Sequence, residues 1–427
     1  MIKRKLIYPI ISVISLALLV SVTQVSAETD EALEMPTIPV EEIRLFAEVF
    51  DRIKSAYVEP VTDQQLLEDA IRGMLSGLDP HSAYLDAKAF EGLQINTSGR
   101  FGGLGIEVGL QDGFIRVIAP IDDTPAQRAG ILAGDLITKI GDESTQGMSL
   151  NDAVDRMRGR IGSRLTITIV REGVEKPFEL TLERASISVT SVRHRLLETG
   201  YGMIRISQFQ NNTADQLRKS IETLKGMGEL RGIVLDLRNN PGGVLQAAVQ
   251  VSDAFISEGL LVYTEGRLPH SELRFNATGD TLLPDTPMVV LINAGSASAS
   301  EIVAGALQDH RRAVIMGTDS FGKGSVQTIL PVSSGRGVKL TTARYYTPDG
   351  RSIQADGIRP DVVVEDARIT RIETAAGQIR ERDLSGHLSG SDSQNRQGEV
   401  PLGQRDYQLY EALNLLKAIS IVQPSRG

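Results

Sequence analysis

The sequence predicts a multidomain α/β chain, and three observations carry that prediction. At 427 residues and 41% hydrophobic content, the chain exceeds what one ordinary core organises, which suggests about two or three domains. Its periodicity shifts along its length, from helical spacing to glycine-rich alternation of period two. It then shifts again, to apolar strands in series with helical segments, which argues right-handed βαβ units.

Composition removes several function classes. There is no cysteine, so disulfide frameworks, thiolate nucleophiles and Cys-based zinc sites are excluded. The five histidines, His81, His194, His270, His310 and His387, show no HExxH or similar spacing, so neither a metal nor another cofactor is expected. A net charge of −9 without a basic stripe argues against nucleic acid as a partner.

The N-terminus reads as an address. Lys3-Arg4-Lys5 precede an apolar run over residues 6–22, and Val25-Ser26-Ala27 offers a small-residue cleavage site. Residues 1–27 are expected to be a secretory signal peptide, which implies a periplasmic or otherwise extracytoplasmic protein. An uncleaved membrane anchor is the alternative, because the run is near spanning length.

Residues 28–95 form an N-terminal helical region. Ile43, Phe46, Ala47, Phe50 and Ile53 have helical spacing, residues 66–75 repeat it, and Asp79-Pro80 is expected to stop the second helix. His81 follows, and a capping or loop role is favoured over catalysis.

Residues 96–185 form a β-rich module with two short helices, one of them over residues 150–158. Gly102-Gly103-Leu104-Gly105-Ile106, Pro125-Ala126 with Ala129-Gly130, and Gly134-Asp135 with Ile137 and Ile140-Gly141 occur in that order. This pattern resembles a PDZ domain. The resemblance implies capture of peptide C-termini, with Gly103, Leu104, Gly105 and Ile106 receiving the terminal carboxylate.

Residues 186–370 read as the α/β core. Strands are expected near residues 202–206, 232–237, 260–263, 288–292 and 313–316, with helices near 214–227, 244–256 and 299–308. Residues 371–427 are expected to be a linker, polar over 385–399, and a C-terminal helix over 406–421. That helix either packs on its own chain or makes a homo-oligomer contact.

Two segments bear reactive side chains. Asn293-Ala294-Gly295-Ser296-Ala297-Ser298-Ala299-Ser300-Glu301 joins a buried strand to a helix. Ser298 and Glu301 fit a capping box. The same position suits a nucleophile, since free N–H groups and the positive end of the helix dipole lie beside it. A serine needs a base. Lys323, in Phe321-Gly322-Lys323-Gly324-Ser325-Val326-Gln327, serves if burial keeps it neutral, and Gln327 could orient its amine. Taken alone, Lys323 also fits a surface loop; a P-loop does not fit, because the upstream glycine spacing is missing.

With Asp236-Leu237-Arg238-Asn239-Asn240-Pro241-Gly242-Gly243, these segments resemble the carboxyl-terminal processing (tail-specific) serine proteases with a PDZ domain. The resemblance spans nearly the whole chain and implies a crotonase-like tail-specific protease fold. It implies Ser298 as nucleophile, Lys323 as general base and Gln327 as its support. The oxyanion donors would be the amide of Ala299 and one from Gly242 or Gly243, with Gly243 preferred. Expected partners are protein or peptide substrates with free C-termini, and an adaptor protein is a further candidate. The rival readings are a non-catalytic PDZ scaffold of the cell envelope and an acyl-CoA hydratase-like enzyme; the signal and the PDZ-like module argue against the latter.

Overall fold

A computed structural model describes residues 39–121, 123–268, 271–367 and 402–422. The expected signal peptide and the polar linker lie outside the described residues. Two compact units divide between Ala70 and Ile71. The first contains the helix Val40–Ala56, whose Ile43, Phe46 and Ile53 are exposed. The helix Asp63–Ser76 begins in it and ends one turn ahead of Asp79-Pro80.

Within the large unit, the PDZ-like module is an antiparallel sheet. Ile106–Gln111 lies at one edge, followed in space by Phe114–Pro120, Leu136–Ile140, Arg164–Val170 and Phe178–Glu183. Alternation sends Ile115, Val117, Ile167 and Ile169 inward, onto Ala153 and Met157 of the helix Leu150–Met157. A bulge between Ile137 and Lys139 lets Ile137 and Ile140 share that core despite their odd spacing. Ala185–Ser188 returns to pair with Arg100–Gly103, a two-stranded contact the sequence did not reveal.

The core has a six-stranded sheet. Val192–Glu198 is an antiparallel edge, and Tyr201–Ile206, Gly232–Asp236, Met288–Ile292, Val314–Gly317 and Val362–Val363 run parallel. The two central strands are buried on both faces, which explains their unbroken apolar runs. Ile233, Leu235, Val290 and Ile292 pack with the helices Thr213–Gly226, Leu245–Asp253 and Ala299–Asp309. Val234, Val289 and Leu291 face the other way, onto Leu409, Ala412, Leu413 and Leu416 of the helix Tyr407–Val422. The C-terminal helix therefore spends its apolar face on its own chain.

One expectation needs correcting. The strand near residues 260–263 is not part of the parallel series. Leu260–Gly266 pairs with Leu273–Asn276 and with Arg336–Tyr346, in a second, antiparallel sheet that also holds Ala83–Leu85 and Ser325–Val332. A short apolar strand reads alike in either sheet, and only its distant partners decide which one it joins.

Candidate active site

Three loops leave the C-terminal ends of adjacent parallel strands, where open α/β sheets present their ligand crevice. Gly232–Asp236 leads to the Asn239–Gly243 turn, Met288–Ile292 to Ser298, and Val314–Gly317 to Lys323.

Ser298 ends the turn into the helix Ala299–Asp309, with φ 54° and ψ −112°. A non-glycine residue there is strained by about 1–3 kcal/mol, and its surroundings must hold it. They do so through named bonds. Ser298 N–H donates to Glu301 Oε2 at 2.7 Å, and Ala297 N–H donates to the Asn240 carbonyl at 2.9 Å. Gly242 packs beneath: a Cβ on it would lie 2.8 Å from Ser298 Cβ and 2.6 Å from the Ala297 carbonyl. Ser298 is only 7% exposed, yet the loops around it are built from small residues.

Fully buried Glu301 does more than cap a helix. Its carboxylate accepts Ser298 N–H, Ser320 Oγ–H at 2.5 Å, Gly322 N–H at 2.7 Å and Lys323 N–H at 2.9 Å. One side chain thus ties the serine turn to the lysine loop. The capping pattern marked Glu301 in the sequence, but nothing local showed its bonds twenty residues on. The glycines beside Lys323 permit close approach: Gly322 has φ +87°, and a Cβ on Gly324 would lie 2.3 Å from Gln354 N.

Lys323 is half-buried. Burial pushes its amine below the ordinary lysine value and nearby Lys339 adds to this, while Glu301 and Asp79 pull the other way. Among the described residues, the amine has no hydrogen-bond or ion-pair partner and none joins it to Ser298 Oγ. Tyr345 borders the lysine loop, its N–H donating to the Gly324 carbonyl at 2.7 Å; burial pushes its phenol up to about 12, and the neighbouring Ser298 opposes this. Tyr345 was missed in the sequence, since only the antiparallel sheet brings it here.

Gln327 sits beside the lysine loop, next to a bulge between Val326 and Gln327. Its Nε2 donates to Ser325 Oγ at 2.9 Å, to the Ser325 carbonyl at 3.2 Å and to Thr341 Oγ1 at 3.5 Å. His81 lies close enough to feel the charge of Lys323, and burial first, then that charge, lowers its pKa.

Among the described residues, the backbone N–H groups of Ala299 and Gly243 have no acceptor. Gly242 N–H is already taken by Asn240 Oδ1 at 2.9 Å. Gly243, at φ +143°, lies so close to Phe209 that a Cβ would meet its carbonyl at 2.0 Å. The turn is anchored by buried Asn240, which also donates to the Ile206 carbonyl and accepts from Ser300 Oγ. Arg238 anchors it further: it bonds fully buried Asp236 and, bidentately at 2.9 and 2.7 Å, Asp406 beside the C-terminal helix. Among the described residues, no group of three or more metal-ligating side chains is present.

At the PDZ-like module, Ile106–Gln111 pairs among the described residues on one side only, with Phe114–Pro120, and the helix Leu150–Met157 lies beside it. Gly103, Leu104, Gly105 and Ile106 lead into this edge strand, and Gly105 turns at φ +79° against Thr124.

Comparison with known proteins gives matching families. A family described as Peptidase family S41 matches residues 200–364, one described as PDZ domain matches residues 116–171, and one described as Activating protease CtpB N-terminal domain matches residues 7–89. The carboxy-terminal-processing protease of Bartonella bacilliformis is 47% identical over 380 residues, 87% of each chain. The carboxyl-terminal-processing protease of Synechocystis is 37% identical over 329 residues, covering 75% of this chain and 76% of that one. Among solved structures, the photosystem II D1 C-terminal processing protease is 32% identical, covers 76% of this chain and 93% of its own, and has a TM-score of 0.44.

Proposed function

This chain belongs to the carboxy-terminal processing proteases of peptidase family S41, serine-type enzymes with a PDZ domain, and from that premise we propose that it cleaves extracytoplasmic proteins with a Ser298–Lys323 dyad. The observation that carries this reading is the junction at Glu301, which holds the strained Ser298 turn and the backbone of Lys323 on one carboxylate.

Neutral Lys323 takes the proton from Ser298 Oγ as the oxygen attacks a peptide carbonyl. The carbonyl π electrons move onto oxygen, and the N–H groups of Ala299 and Gly243 receive that charge; one such donor is worth about 10²–10³ in rate. Lys323 then gives its proton to the leaving amine as the C–N bond breaks. Water, deprotonated by the same amine, hydrolyses the acyl-Ser298 ester. This is the Ser-Lys variant of triad logic. Gln327 supports the amine through its free carbonyl oxygen.

The PDZ domain would present substrate. An extended C-terminus would add to the free edge of Ile106–Gln111, its carboxylate at the Gly103–Ile106 loop and its last side chain against the helix Leu150–Met157. An extracytoplasmic site rests on the signal-like residues 1–27; among the described residues, no helix is long and apolar enough to cross a membrane. An adaptor protein remains a candidate partner.

The test is labelling by a fluorophosphonate together with casein hydrolysis. Wild-type protein should be labelled and active, and Ser298→Ala folded but neither. Casein hydrolysis by purified Ser298→Ala at the wild-type rate contradicts the assignment.

A further inference from the structure

The loop after the second N-terminal helix is joined to the lysine side of the site by a directed chain of hydrogen bonds. Asp79 accepts the N–H groups of His81 and Ser82 at 2.8 and 2.9 Å and Ser82 Oγ–H at 2.6 Å. It also accepts Thr341 Oγ1–H at 3.1 Å. Thr341 is held from its backbone as well, its N–H donating to Ser82 Oγ at 3.1 Å. The strand Ala83–Leu85 then pairs with Gly337–Lys339, so the loop is laid along the same strand that carries Thr341.

The direction of the chain matters. A carboxylate only accepts, so Thr341 must spend its one hydrogen on Asp79. Its lone pairs are left for Gln327, whose Nε2 donates to it at 3.5 Å and to Ser325 Oγ at 2.9 Å. The amide is turned with its NH₂ group toward the Ser325 carbonyl, which accepts from it at 3.2 Å, and toward Ser325 Oγ and Thr341. Its carbonyl oxygen has no hydrogen-bond donor among the described residues. The Asp79 carboxyl stays ionised in this role: burial works to raise it, but the Ser82, His81 and Thr341 donors bring it to about 2.

We propose that Asp79 is a positioning residue for the general base, fixing the Gln327 amide through the Thr341 hydroxyl so that its oxygen is the atom left to receive a hydrogen from Lys323 Nζ. The inference rests on the reading of Lys323 as base with Gln327 as support. The opposite amide orientation would point two donors at an amine that is itself a donor when charged. Leu78-Asp79-Pro80-His81-Ser82, which reads in the sequence as a helix stop, is then part of the catalytic apparatus.

The experiment measures kcat and KM separately on a model peptide for Thr341→Val, Thr341→Ser, Asp79→Asn, Gln327→Ala, Lys323→Ala and the double variant Gln327→Ala/Thr341→Val. Thr341→Val should lower kcat by roughly tenfold or more with KM within about twofold, and Thr341→Ser should restore it. Because the two residues act in series, the double variant should be no slower than Gln327→Ala alone. Wild-type kcat in Thr341→Val, or losses that multiply in the double variant, overturn the proposal. Should Asp79→Asn fail to fold, Thr341→Val decides alone, since it leaves the backbone bonds of the loop in place. An inactive Lys323→Ala beside a wild-type Thr341→Val sinks only the relay, whereas an active Lys323→Ala sinks the reading of the base itself.

Discussion

The backbone N–H groups of Ser298 and Lys323 converge on a single oxygen, Glu301 Oε2, at 2.7 and 2.9 Å. The proposed nucleophile and base are thus positioned by the same buried carboxylate, although among the described residues no bond joins their side chains. Glu301→Gln should therefore harm activity far more than a helix cap alone explains. Glutamine must turn either its NH₂ or its oxygen toward each pair of donors, and one pair then loses its acceptor. We expect kcat to fall by about 100-fold, with a loss of about 1–3 kcal/mol in stability for the donors left unpaired. Peptidase assays and urea unfolding check both, and a kcat near wild type would show that the convergence is only structural.

The pH dependence follows from the state of Lys323. The amine must be neutral to accept a proton, so kcat/KM should rise with pH through its pKa, which burial and Lys339 place below the ordinary 10.5. Lys339→Gln removes a like charge, makes the ammonium easier to keep and should shift the rising limb to higher pH. Glu301 and Asp79, the acids whose charge acts on the amine, oppose Lys339 and remain in that variant. A limb that stays in place, or moves to lower pH, contradicts this.

Burial pushes the Tyr345 phenol up to about 12, the neighbouring Ser298 opposing this, so Tyr345 stays protonated. Tyr345→Phe removes the phenol oxygen and keeps the ring. It should change the fluorophosphonate labelling rate of Ser298 by several-fold while leaving the melting temperature within a few degrees. An unchanged labelling rate would mean the phenol has no bearing on Ser298.

The Arg238–Asp406 pair is a clasp between the Asn239–Gly243 turn and the C-terminal helix. Asp406 is pulled below the usual carboxylate value: burial opposes this, and Arg238 and the Leu409 N–H outweigh it. Its stabilisation is therefore present above the unfolded carboxyl range and lost as pH falls through the lowered value. Asp406→Ala should cost about 2–4 kcal/mol, since Arg238 loses a partner it is largely buried with. It should also flatten the acid limb of the stability profile. Stability equal to wild type at neutral pH would refute the clasp.

Much of the fold was legible because its signals are local. The runs 232–237 and 288–292 read as strands buried on both faces, and the helix over 406–421 showed its apolar spacing. The turn that carries Ser298 and the glycine-flanked loop that carries Lys323 were legible from motif residues and from the small neighbours such loops require. What stayed hidden depends on distant pairing. Leu260–Gly266 joined the second sheet through partners some eighty residues away. Tyr345 and Thr341 reach the site only because Arg336–Tyr346 folds against Ser325–Val332. Asp79 meets Thr341 across more than half the chain. Glu301 was marked as a cap, and its bonds to the lysine loop had no local signal.

Recognition of a free C-terminus is tested with one peptide as its free acid and its amide. The edge strand and the Gly103–Ile106 loop predict a higher kcat/KM for the acid, by roughly tenfold or more for a charge-assisted contact. Equal values for both forms would remove carboxylate recognition from the account.

The central claim is that Lys323 is the base for Ser298, and turnover by Lys323→Arg tests it most directly. Arginine keeps the positive charge and much of the length, but cannot give up its proton in a protein. The account predicts a folded protein whose peptide hydrolysis is at least about 1,000-fold slower than wild type at every pH tested. Hydrolysis within a few-fold of wild type would contradict it and return the search for a base to His81.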